Sequence, residues 1–213
     1  PLIDVRRMRS ASACHVCGRC AGERNAVTLV ARMPGAELLE PEPASATRWE
    51  AALLLFGMLG VALGAFQWSA SPWFVAAKQL AATWLVEHGW MWTLRADAPW
   101  WVLTNSPDSN DVLTWLDGAL ILAYVALTGV AVGGWMACWL AVGAARARVS
   151  ARRLACALIP LAGVSLFLGL SGHTVTLLRS DGFQLAWVNW ARAAVLAFGV
   201  LWSVWLGWAM ARA

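Results

Sequence analysis

Four long stretches of this chain carry no Asp, Glu, Lys or Arg: residues 51–68, 118–145, 154–172 and 193–211. A hydrocarbon layer about 30 Å thick is crossed by about 20 apolar helical residues, and each stretch meets or approaches that length. Water cannot satisfy backbone polar groups inside lipid, so such segments must be helices that bond internally. Composition agrees: 60% of the 213 residues are hydrophobic and only 13% are charged, with a mean hydropathy of +0.61, whereas soluble domains carry about 25% charge. The expectation is an all-α integral membrane protein with spans at about 51–68, 118–145, 154–175 and 190–211. Pro160 falls within the third span, where neighbouring helices are expected to satisfy the carbonyl it frees. The many Gly and Ala residues suit close helix contact; their Gly-x-x-Gly spacings are too common to signal a dimer.

A fifth apolar segment, about 72–90, contains Lys78, Glu87 and His88, and places Trp73, Ala77, Leu80, Trp84 and His88 on one helical stripe. That pattern predicts an amphipathic helix lying on the membrane surface. Trp68, Trp73, Trp84, Trp90, Trp92, Trp100, Trp101 and Trp115 crowd the same boundary, as an interfacial aromatic belt does.

Arginine placement predicts orientation. The loop RARVSARR, residues 146–153, has four Arg and no acid, whereas residues 69–117 hold two basic residues against five acidic ones. Short loops rich in Arg stay in the cytoplasm. The N-terminus, this loop and the C-terminus are therefore expected inside, and the Trp-rich segment outside, in a bacterial cytoplasmic (inner) membrane. Arg179 and Arg192 are expected to snorkel to the outer head groups.

The chain divides into a cysteine segment (1–32), a Pro-rich linker (33–49) that reads as a semi-rigid tether, and the transmembrane domain (50–213). In the first, ACHVCGRCAG sets Cys14, Cys17 and Cys20 at two-residue spacing. In bacterial ferredoxins, C-x2-C-x2-C-x3-C-P wraps an iron–sulfur cubane. Arg24 stands here where the fourth Cys would be, and Asn25 where the Pro would be. CGRC and the apolar NAVTLVAR that follows match a ferredoxin core and its strand. Zinc is the alternative, since it accepts thiolate and imidazole tetrahedrally, with His15 or an upstream residue completing the set. Zinc sites, however, more often use two separated C-x-x-C pairs than a triple. His15 reads as a solvent-facing loop residue, and Cys138 and Cys156 as small buried hydrophobes. His88 and His173 read as interfacial or interhelical hydrogen-bonding groups rather than haem or quinone ligands.

With Cys14, Cys17, Cys20 and the strand after them joined to several spans, the chain resembles the membrane-bound polyferredoxins, the membrane ferredoxins of nitrate and nitrous oxide respiration and of oxidase assembly. The resemblance implies a [4Fe–4S] cluster on the cytoplasmic side, exchanging electrons with a quinone or a respiratory partner protein. It reads as an electron carrier or redox subunit rather than a stand-alone enzyme. The chain starts at Pro1 without a methionine, so it reads as a fragment whose fourth cluster ligand lies upstream. The other functional class is a non-redox membrane scaffold whose cysteine loop binds zinc or docks a partner. No basic–aromatic interleaving accompanies the net charge of +4, and nucleic acid is not an expected partner.

Overall fold

The computed structural model describes residues 33–39, 46–106, 111–183 and 185–212; Cys14, Cys17, Cys20 and Arg24 lie outside the described residues. Four helices in it are long and apolar enough to cross a membrane: α1 (Arg48–Ala70), α3 (Trp115–Ala147), α4 (Ala151–Ser180) and α5 (Val188–Arg212). Between α1 and α3 comes α2 (Pro72–Glu87), 16 residues long. A two-residue hairpin not anticipated from sequence, β1 (Asn105–Ser106) with β2 (Asp111–Val112), precedes α3.

Each span begins or ends a few residues outside its charge-free window, because local caps rather than hydrophobicity set where helix starts. Thr47 and Glu50 form a capping box on α1: Glu50 N–H donates to Thr47 Oγ1 (3.2 Å) and Thr47 N–H to the Glu50 carboxylate (2.6 Å). Thr114 and Asp117 repeat the device on α3, and Ser150 Oγ accepts from Arg153 N–H at the start of α4. These bonds satisfy amides that have no intrahelical acceptor. Between α3 and α4 the chain turns at Arg148, which adopts a left-handed conformation (φ 57°).

Pro160 sits differently from the sequence expectation. A 3-10 turn over Cys156–Leu158 interrupts α4, and the α-helix resumes at Ile159 with Pro160 in its first turn. A missing N–H costs nothing there. The next amide, Leu161 N–H, donates 3.1 Å across to Ser203 Oγ on α5, which is buried.

α1 and α3 approach until their backbones touch. A Cβ on Gly60 would lie 2.6 Å from the Gly129 carbonyl oxygen, and one on Gly64 3.0 Å from Val125 Cα. On the facing helix, a Cβ on Gly133 would fall 2.5 Å from the Phe56 ring. Gly60 with Gly64, and Gly129 with Gly133, thus supply four-residue small-residue spacings at one helix crossing, a recurrent membrane-helix contact. The middle of α1, Leu53–Val61, winds as a π-helix through this contact.

The core lies toward the Arg48/Ala155/Met210 end, where Leu54, Leu55 and Leu59 of α1 pack on Ala155 and Ala162 of α4. Elsewhere the spans turn apolar side chains outward: Leu122, Leu127, Leu170 and Leu201 are each about two-thirds or more exposed. Only 11–28% of the most apolar window of each span is buried inside the protein. Soluble monomers do not present apolar surface on that scale; acyl chains are the surroundings it fits.

α2 is helical as expected, starting at Pro72 behind the Ser71 cap. Its stripe Trp73, Ala77, Leu80, Trp84 and His88 is exposed and points away from the bundle. The other side holds it in place. Phe74 is buried edge-on to Tyr124 of α3, and Lys78 Nζ pairs with Asp117 Oδ1 at 2.5 Å. Asp117 is buried, so one carboxylate both caps α3 and fastens α2 to it.

Candidate functional site

The described chain nearest the cysteines is Met33–Leu39, and it is packed against the bundle. Gly35 takes a left-handed turn (φ +84°), and a 3-10 turn follows at Ala36–Leu39. Leu38 and Leu39 rest on a buried group of Ala157, Leu206 and Met210, at the end of α5 and the 3-10 break of α4. The residues that directly follow the cysteine segment are thereby anchored at one end of the bundle. That end also carries Arg48, Arg146, Arg148, Arg152, Arg153 and Arg212, and Arg212 stacks 3.7 Å over the Trp208 ring.

Cys156 reaches this same buried group. It is half-buried, with its Sγ 3.5 Å from the Arg152 carbonyl. The small-hydrophobe expectation describes it well. Cys138 differs: it is exposed on α3 rather than buried, and in a membrane that position faces lipid. Among the described residues no group of three or more His, Cys, Asp and Glu could hold a metal.

His15 lies outside the described residues; His88 and His173 stand at the opposite end. His88 stacks on the Trp84 ring (4.1 Å between centroids) and its Nδ1 lies 2.7 Å from the Trp84 carbonyl, so its partners are on its own helix. His173 is exposed on α4. Trp73, Trp84, Trp90, Trp92, Trp100 and Trp101 are all exposed at this end, and Trp187, just before α5, and Trp190 of α5 join them. Arg179 donates to Asn189 Oδ1 at the α4–α5 turn.

Arg192 departs from the snorkelling expectation. Its guanidinium turns into the bundle, donating from Nη1 to Ser171 Oγ (2.8 Å) and from Nη2 to the Leu168 carbonyl (2.7 Å). There it lines a cavity of about 460 Å³ between α1, α3, α4 and α5. Sequence reasoning missed this site. Its traces were polar or small residues near span ends, Gln67, Ser171 and Gly172, with nothing in one dimension to say that the arginine reaches them.

No family model, curated protein or solved structure matches the chain.

Proposed function

We propose that the chain is a membrane-anchored iron–sulfur protein that relays single electrons between cytoplasmic donors and a quinone or respiratory partner. The observation that carries this reading is the C-x2-C-x2-C run of Cys14, Cys17 and Cys20. It lies just upstream of a segment fastened to the arginine-bearing end of a four-span bundle. The donors are of the right kind: three thiolates at this spacing match three of the four ligands that a cubane's irons take. When bound, the cluster supplies one-electron storage.

The chain's own residues do the rest. Leu38 and Leu39 hold the segment at the bundle end, which limits how far the thiolates stand from the membrane. The arginines make that end electropositive, and a thiolate–sulfide group held near it would be favoured in its anionic form. By the positive-inside rule the same arginines put this end, with both termini, on the cytoplasmic side of a bacterial inner membrane. The exposed stripe of α2 and the surrounding tryptophans then lie in the outer interface.

The test is optical. Protein reconstituted anaerobically should carry a labile chromophore, a broad visible absorbance that dithionite bleaches and a water-soluble quinone restores. Cys14→Ser, Cys17→Ser and Cys20→Ser together should remove both responses. A colourless protein with one zinc per chain supports the scaffold reading instead.

A further inference from the structure

Arg192 is four residues past Val188, about 6 Å along α5. Its hydrogen-bond partner Leu168 lies about 18 Å from the Ser180 end of α4 and about 26 Å from the Ala151 end. The guanidinium therefore sits within the apolar length of the bundle. Its two bonds use two of five N–H donors, and among the described residues no carboxylate pairs with it. A permanent charge at such depth is costly, and arginines that persist there face an interior path or a ligand.

The cavity has the shape of a ligand site as well as the charge. At about 460 Å³ it falls within the usual range of about 300–1,000 Å³ for small-molecule pockets. It runs from Leu59, in the middle of α1, to Gln67 and Arg192 near the tryptophan-bearing end. Gly169 lets the Phe66 ring on the cavity wall lie directly against α4, since a Cβ there would fall 2.2 Å from the ring. Leu63, Phe66 and Leu196 on its walls are each about 40% exposed to the surroundings. The trough consequently opens sideways, toward acyl chains.

Among the described residues that line it, Arg192 is the only ionisable one. No carboxylate, imidazole or phenol is there to accept a proton, so the trough is not equipped for quinol oxidation. What it offers is one fixed cation, whose planar fork matches a carboxylate bidentately, at the end of one apolar channel. At about 460 Å³ it has room for an alkyl chain. We infer that this trough binds a long-chain carboxylate, with its head on Arg192 and its tail between α1, α3, α4 and α5 toward Leu59. The inference is independent of the cysteine segment.

Full-length protein in phosphatidylcholine nanodiscs, titrated with spin-labelled stearate, tests it by electron paramagnetic resonance. An immobilised spin population of about one per chain is expected. Palmitate should displace it at least about tenfold better than hexadecanol, which has the same chain without the charge. Arg192→Gln should weaken stearate binding by a similar factor, with folding verified by size-exclusion chromatography. The competition in the unmodified chain decides the matter even where that variant does not fold. Equal displacement by hexadecanol, or stronger displacement by phosphatidylglycerol or a quinone than by palmitate, would overturn the assignment.

Discussion

Leucine at Gly60 or Gly129 will break the bundle, and alanine at either will weaken it measurably. A Cβ on Gly60 meets the Gly129 oxygen at 2.6 Å and its Cα at 2.9 Å. These are backbone atoms, which cannot rotate away as a side chain can; a Cβ on Gly129 meets instead the β-branched Val61 side chain, at 2.8 Å. Overpacking a core costs about 1–3 kcal/mol when side chains can adjust; here the two helices themselves must separate, so leucine is expected to cost about 3 kcal/mol or more. Gly134 and Gly163 are the controls, since a Cβ at either finds nothing within 4 Å. Alanine there should be neutral, or stabilise by up to about 1 kcal/mol through helix propensity. Thermal unfolding midpoints of the four alanine variants in detergent would show the contrast. Similar midpoints for all four would mean that α1 and α3 do not cross at these glycines.

Arg24→Cys should produce the largest gain of any single change. Three thiolates leave one corner of a cubane without a protein ligand, and a guanidinium has no lone pair to offer it. With Cys14, Cys17 and Cys20 alone, reconstituted protein should hold a labile cluster and lose iron on desalting. Cysteine at position 24 completes the ferredoxin spacing, and iron and acid-labile sulfide should rise toward about four of each per chain. Adding Asn25→Pro should preserve that gain. Near-zero iron in both the unmodified and the Arg24→Cys protein would point away from a ferredoxin loop and toward zinc.

The four spans were legible because charge is excluded from hydrocarbon, and a run without it is visible in one dimension. Their ends were less so. Thr47, Thr114 and Ser150 set the starts through short-range caps that extend helix into charged flanks such as Arg48–Glu50 and Ala151–Arg153. Pro160 was visible, but its place in a first turn depends on the 3-10 break before it and on Ser203, 42 residues beyond Leu161 in sequence. The glycine spacings were visible too, yet only three-dimensional pairing shows that Gly60 and Gly129 meet within one chain. Lys78 and Asp117 read as loop charges of opposite sign, and their ion pair became apparent only once α2 folded back on α3. Arg192 was misjudged for a related reason: an arginine near a span end reaches outward or inward according to what the next helix offers it.

The electron-carrier proposal depends on which end of the bundle faces the cytoplasm. The packing of Leu38 and Leu39 on Met210, and of Leu54 and Leu55 on Ala155, fixes that one end gathers the start of α1, the α3–α4 turn and the end of α5. The orientation proposed above puts that end inside, on the strength of its arginines. Single-cysteine labelling in intact cells tests this directly, in a chain with all five native cysteines changed to serine. With a membrane-impermeant maleimide, Ser106→Cys should label at once and Ser150→Cys only after the cells are permeabilised. Labelling of Ser150→Cys from outside, with Ser106→Cys protected, would contradict the orientation and with it the placement of the cysteine segment in the cytoplasm.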